Sequence, residues 1–345
     1  MSRRSTVFSL PPEAFEIIAK DLEIDDLFTL STCSKRSFNL VKNSVHLFKT
    51  PEFENPFSIN IVMLSDVVVN FEYQEDLIIV WHFVAKRNPE RFDIRSIGLR
   101  SVAMHSGLDH PHPKTIAFRK HPADIYGTTL ESIQDVFQFV EHIGSLFNAT
   151  ASYIDIASKY MVHLQAIQSI PMLKKCSEVQ VSGGTISHDE MRRVVDGFQE
   201  CKKVKFECNF DRNFNLPLEY NCESLSFDTS QITNHHVNSF LHLWIQSSHQ
   251  KPVDLEITRS QERVENRERF GVYDDKCWME PGNPKRKEEK WDLKKVAEGL
   301  CCYVINYSKS QNRVVFRRET DGMELKVQVK CEWFEQSTIS LSSGH

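Results

Sequence analysis

No stretch of this chain is apolar over the roughly 20 residues that a bilayer crossing demands. The longest apolar run, LIIVWHFVA at 77–85, is short and includes His82. The first residues, MSRRSTVFSLPPEA, hold two arginines but no apolar core of signal-peptide length before Pro11 and Pro12, which predicts a chain not secreted by that route. Its nine cysteines show no paired C-x-x-C spacing. They are read as reduced thiols, which predicts a cytoplasmic and/or nuclear protein. Charge of one sign is lacking too: 42 Lys and Arg face 47 Asp and Glu, for a net charge of -5. No chain-wide attraction for nucleic acid or acidic membranes follows, and neither is expected as a partner.

The local marks of catalysis are also missing. There is no G-x-S-x-G, H-E-x-x-H, G-x-x-x-x-G-K or G-x-G-x-x-G. Gly183-Gly184 follows a strand-like run, but no lysine comes after it, so it reads as a turn rather than a phosphate cradle. His105, His110, His112 and His121 cluster in sequence without a spacing that sets three ligands on one face, and no metal site is expected. Cys301-Cys302, if in a strand, face opposite sides, one buried and one exposed. Basic and aromatic residues do not interleave as on a single-strand nucleic-acid platform. The expectation is a chain with no cofactor, no metal and no catalytic residues.

What is present begins with LPPEAFEIIAKDLEIDDLFTLSTCSKRSFNLV at 10–41. Pro11 and Pro12 suit a first helical turn, where a missing amide hydrogen costs nothing, and Phe15, Ile18 and Leu22 recur on one face. Asp25 or Asp26 can cap a second helix carrying Leu27, Phe28 and Leu30, and Ser34 a third carrying Phe38 and Val41. Three helices so short bury little alone, so their remaining apolar surface should meet either the rest of the chain or a partner.

In the middle, 177–198 and 222–244 superpose at a fixed offset. Val179, Val181, Ile186, Met191, Val194, Val195 and Phe198 answer to Leu225, Phe227, Ile232, Val237, Phe240, Leu241 and Trp244. The first pair of each set alternates as a strand does, and the last four follow i, i+3, i+4, i+7 as a helix does. Ser187 and Thr233 are equivalent N-cap candidates, and Ser187 with Glu190 forms a capping-box pattern. With strands also read near 154, 204 and 255, the spacing approaches that of leucine-rich repeats, without their consensus Asn. A helix over 129–147 is placed at the N-terminal end of this block.

The opening stretch resembles the F-box. Leu10-Pro11-x-Glu13, Ile18, Leu22, Asp26-Leu27, Leu30, Lys35-Arg36, Phe38 and Val41 carry the likeness, while Ser37 stands where many F-boxes have tryptophan. LSFDTSQITNHHVNSFLHLWIQSSHQKPVDLEI at 225–257 resembles the type 2 F-box-associated domain of the expanded nematode F-box family, through Asn238, Phe240, Leu241, Trp244 and Ile245. Ser239 and His242 depart from that pattern, and VVFRRETDGMELKVQV at 314–329 is similar to its closing hairpin.

The combined expectation is an α/β chain. A three-helix F-box (1–45) is followed by a connecting segment with strands (46–125), a degenerate leucine-rich-repeat-like solenoid (126–260), a charged loop (261–295) and a C-terminal antiparallel hairpin or small sheet (296–345) that closes the associated domain. The resemblance implies a substrate-recognition subunit of a ubiquitin ligase that docks a Skp1-type adaptor, and through it cullin, with Leu10, Pro11, Ile18, Leu22, Leu27 and Leu30. Strand alternation leaves Gln180, Ser182, Lys205, Glu207, Ser226, Asp228 and Glu256 on an open polar face suited to an unknown target protein. The competing readings are a repeat scaffold whose N-terminal helices only cap the solenoid, and a hydrolase whose site leaves no local motif.

Overall fold

The computed structural model describes residues 10–48, 56–64, 67–74, 76–85, 93–97, 100–106, 124–130, 133–198, 200–229, 231–247, 253–259, 291–308, 311–331 and 337–344. The chain divides into two compact units, 1–155 with 162–176, and 156–161 with 177–345.

The first unit opens with α1 (Pro12–Ala19), α2 (Ile24–Ser31) and α3 (Lys35–Ser44). Pro12 occupies the first turn of α1, and Ser34 caps α3 in a capping box closed by Ser37. The cap expected at Asp25 or Asp26 falls at Glu23 instead, so both aspartates lie inside α2. Negative charge in a first turn still complements the helix dipole.

Strands β1 (Phe57–Met63), β2 (Val67–Tyr73) and β3 (Asp76–Ala85) follow, then β4 (Asp93–Ile97), β5 (Arg100–Ser106) and β6 (Asp124–Leu130). The unit ends with α4 (Ile133–Phe147), β7 (Thr150–Ala157), α5 (Leu164–Gln168) and α6 (Pro171–Lys174). The strand order is β7-β1-β2-β3-β6-β5-β4. Strict alternation in β1 and β2 buries Phe57, Ile59, Ile61, Met63, Val67, Val69 and Phe71 on one face. Helix α4 lies on that face. Phe147 meets Phe71 at 4.8 Å and Phe57 at 5.3 Å between ring centroids, and Phe139 meets Trp81 at 4.9 Å. The segment read as a connection thus supplies the sheet of this unit, and α4, read as the start of the repeat block, covers it.

The second unit sets β8 (Glu178–Ile186), β9 (Lys203–Phe210), β10 (Ser224–Asp228) and β11 (Asp254–Arg259) side by side, all parallel. Helix α7 (His188–Gly197) follows β8 and α8 (Asn234–Gln246) follows β10. After α9 (Leu293–Val296) come β12 (Val304–Ser308), β13 (Arg313–Arg317), β14 (Glu324–Cys331) and β15 (Ser337–Gly344). The sheet runs β12-β13-β14-β15-β11-β10-β9-β8, with β15 antiparallel to β11. The superposed apolar positions of the two copies are all buried, from Val179 to Phe198 and from Leu225 to Trp244.

Two sequence readings change here. Gly183-Gly184 is not a turn but a bulge inside β8, where the register shifts between Ser182 and Thr185 and both glycines take positive φ. Cys301 and Cys302 sit in a 3-10 turn before β12, not in a strand, which removes the reason for them to face opposite sides. The C-terminal strands belong to the same sheet as the parallel ones: β15 joins β12–β14 to β11. His110, His112 and His121, and residues 261–290 of the charged loop, lie outside the described residues.

Candidate functional site

The first candidate surface is built from α1–α3. Phe15, Ala19, Leu27, Phe28, Leu40, Val41 and Val45 are buried. These helices do not stand alone. The Phe28 ring lies edge-on to Trp81 at 5.1 Å and to Phe139 at 6.2 Å, Phe38 meets His142 at 4.8 Å, and Lys42 Nζ donates to Ser145 Oγ at 2.9 Å. One side of α2 and α3 is therefore spent on the rest of the unit. Burial holds His142 well below its ordinary range, at about 4, so it is neutral at pH 7.

Of the residues expected to meet an adaptor, Leu27 is fully buried and serves the unit's own core. Leu10, Ile18, Leu22 and Leu30 are half-buried and Pro11 is exposed. The sequence reading missed Ile17, which is 68% exposed in the middle of α1. It breaks the helical period used to find Ile18 and Leu22, so only an out-of-phase apolar residue could have signalled it. Ser37, at the position where tryptophan is common, is fully buried and spends its hydroxyl on Ser34.

The second candidate surface is the polar face of the second unit's sheet. Alternation puts Val179, Val181, Val204, Phe206, Leu225, Phe227, Leu255 and Ile257 in the core. The expected residues then line up across strands. Gln180 pairs with Lys205, Lys205 with Ser226 and Ser226 with Glu256; Ser182 pairs with Glu207. Gln180 Nε2 donates to Glu207 Oε2 at 3.0 Å, and Lys205 forms an ion pair with the same carboxylate. Asp228 closes β10 on this face.

Register carries the face further than the sequence reading did. Glu256 pairs with Ser340 of β15, and Ser340 with Gln328 of β14; Thr258 pairs with Thr338, whose hydroxyls are 3.2 Å apart. The signal was available in STISLSSG at 337–344, where Ile339 and Leu341 alternate with Ser and Thr.

Beneath this face, burial raises the thiols of Cys208 and Cys222 to about 12 and that of Cys201 to about 11, so they are protonated thiols at neutral pH. Among the described residues no group of three His, Cys, Asp or Glu could hold a metal ion, and no helix is long and apolar enough to cross a membrane.

A mixed α/β chain with a helix-covered sheet and an open polar sheet face is the class these features define. Residues 197–257 match the family model described as F-box associated, from the last residue of α7 through β9, β10 and α8 into β11. This segment is a type 2 F-box-associated domain. No curated protein and no solved structure matches the chain. The residues of the sequence signature have distinct physical duties: Phe240, Leu241, Trp244 and Ile245 are buried under the sheet, while Asn238 Nδ2 donates to the carbonyls of Val296 at 2.8 Å and Glu298 at 2.9 Å, holding α9 against α8. Ser239 and His242, which depart from it, are half-buried.

Proposed function

We propose that the chain is a non-catalytic substrate receptor of a Skp1-cullin-F-box ubiquitin ligase, working in the cytoplasm and/or nucleus as a member of the expanded nematode F-box family. Helices α1–α3 act as the F-box and dock a Skp1-type adaptor, and through it cullin; the open face of the second unit holds a target protein, and other subunits transfer ubiquitin. The observation that carries this reading is the F-box-associated match at 197–257, because it falls on the strands that build the open face. The four parallel strands, two of them followed by covering helices, support reading this block as a degenerate leucine-rich-repeat-like solenoid. The half-buried Leu10, Ile18, Leu22 and Leu30, with exposed Pro11 and Ile17, supply the apolar surface an adaptor would cover.

A second reading keeps the protein as a scaffold whose N-terminal helices merely cap its own unit. The packing of Phe28 on Trp81 and Phe139 favours it. Binding of the full chain to purified Skp1 separates the two. The receptor reading expects a complex that the L10A/P11A double variant weakens by about 1–3 kcal/mol, since interface energy concentrates in a few anchors. The capping reading expects no complex, and an affinity unchanged in the double variant would overturn the assignment of these residues.

A further inference from the structure

Val314 and Phe316 of β13 and Leu325, Val327 and Val329 of β14 are buried, so alternation sends Arg313, Arg317, Glu324, Lys326 and Gln328 to the open face of the second unit. Register sets Arg313 directly opposite Gln328 and diagonal to Lys326. Across β15 the neighbours are short and uncharged: Ser340 stands opposite Gln328 and Ser342 opposite Lys326. The carboxylates of β11 lie one strand further on, with Glu256 opposite Ser340 and Asp254 opposite Ser342. The ion pairs of this face join Lys205 to Glu207 and Arg317 to Glu324. Glu324 is thereby held, and Arg313 and Lys326 are left without a carboxylate among the described residues.

An independent observation falls on the same spot. The Nε of Arg313 is buried and has no hydrogen-bond partner among the described residues. A buried donor is normally paired, because it has lost its water and gained nothing in return. The neighbouring arginines show what the paired state looks like. Arg317 Nε donates to the Glu324 carboxylate at 3.2 Å, and Arg318 Nε to the Asp321 carboxylate at 3.0 Å. Arg313 presents the same planar fork with no carboxylate in it.

We propose that this corner of the open face binds an extended acidic segment of a partner protein, with one carboxylate seated on the Arg313 fork and a second, two residues along, on Lys326. The spacing fits: diagonal neighbours on an antiparallel pair are about 7–8 Å apart, and alternate residues of an extended chain are about 7 Å apart. The first carboxylate supplies the acceptor that the buried Nε lacks, in the side-on geometry that arginine offers and lysine does not. This deepens the receptor reading and rests on it: the segment is the recognised part of the target. Charge complementarity of this kind sets partner choice and association rate, and it weakens with added salt.

The test is fluorescence anisotropy of the full chain with a labelled peptide of alternating Glu and Ser, against one of alternating Lys and Ser. The acidic peptide is expected to bind at least tenfold more tightly than the basic one. The R313E/K326E variant is expected to lose at least tenfold for the acidic peptide while melting like the parent. If that variant fails to fold, the uncharged pair R313Q/K326Q is expected to lose at least threefold. R313K keeps the charge but not the fork, and it too is expected to lose at least threefold. Equal binding of both peptides, no binding of the acidic one, or acidic binding indifferent to any of these variants overturns the proposal. Skp1 capture on the same preparations keeps the two ideas apart: Skp1 bound without acidic peptide sinks this site alone, and acidic peptide bound without Skp1 sinks the receptor reading alone.

Discussion

The guanidinium of Arg318 lies over the indole of Trp244, 5.1 Å from the ring centroid, and donates to the Trp244 carbonyl at 3.3 Å. Both side chains are fully buried. Arg318 also donates to the carbonyl and hydroxyl of Ser247 at 3.0 and 3.1 Å, and its fork holds the carboxylate of Asp321. A single cation thereby satisfies the last carbonyls of α8 and ties them to the turn between β13 and β14. Lysine cannot replace that planar fork.

Arg318→Met is therefore expected to destabilise the protein by about 3 kcal/mol, the scale of a broken buried charge network, and Arg318→Lys to recover only part of it. Urea denaturation of the three proteins measures the difference. Equal stabilities would mean that α8 and the turn are held by packing alone.

The same cluster has a pH signature. The hydrogen bond from Arg318, aided by the Met323 amide, lowers the Asp321 carboxyl from 3.8 to about 2. A carboxyl lowered by folding adds stability at neutral pH, and that share is lost as the pH falls below its ordinary value and through about 2. Asp321→Asn is expected to flatten the acid limb of stability between about pH 4 and 2, read by acid titration of circular dichroism.

His142 adds a second limb at higher pH. Packed against Phe38, with Nε2 unpaired among the described residues, it is lowered by burial from 6.5 to about 4. Its neutral form is the one that folding favours, so stability should fall as the pH drops from 6.5 through about 4. His142→Phe is expected to remove that slope and leave the Asp321 limb in place. Thermal melts at closely spaced pH values resolve the two.

The repeat makes Phe198 and Trp244 equivalent, and both are fully buried. Either one changed to alanine should cost about 3–5 kcal/mol, the usual range for a large buried aromatic. Trp244→Ala also removes the platform of Arg318, so its cost is expected to be the larger. Melting temperatures of the full-length variants decide this.

The bulge in β8 offers a paired comparison. Gly183 and Gly184 both have positive φ, but a Cβ on Gly183 would meet nothing within 4 Å, whereas one on Gly184 would come within 2.1 Å of Ser158 Oγ. Gly183→Ala should cost about 1–2 kcal/mol from backbone strain alone. Gly184→Ala should cost more, and Ser158→Ala should relieve part of the excess. Denaturation of the double variant against the singles gives the answer.

Where the sequence was legible, a local rule was at work. The capping box of Ser187 and Glu190 formed as its spacing required, and Thr233 took the N-cap position of α8, because a cap depends only on neighbours along the chain. The alternation of Val179 with Val181 and of Leu225 with Phe227 placed Gln180, Lys205 and Ser226 on the polar face for the same reason. Where it was illegible, the deciding partner lay far away. The glycine pair became a bulge because β9 imposes a register on β8. Strand β11 gained its second neighbour only when β15, some 80 residues on, paired with it.

The amino-acid sequence by itself determined the strands and helices, their inward and outward faces, the caps, and the likeness of 225–257 to an F-box-associated domain, since each depends on residue type and short spacing. Only the tertiary structure decided which strands are neighbours, that Phe28 is spent on Trp81, and that Asn238 holds α9 against α8. Strand pairing is set by the summed burial of distant apolar faces, and no local pattern of residues encodes that sum.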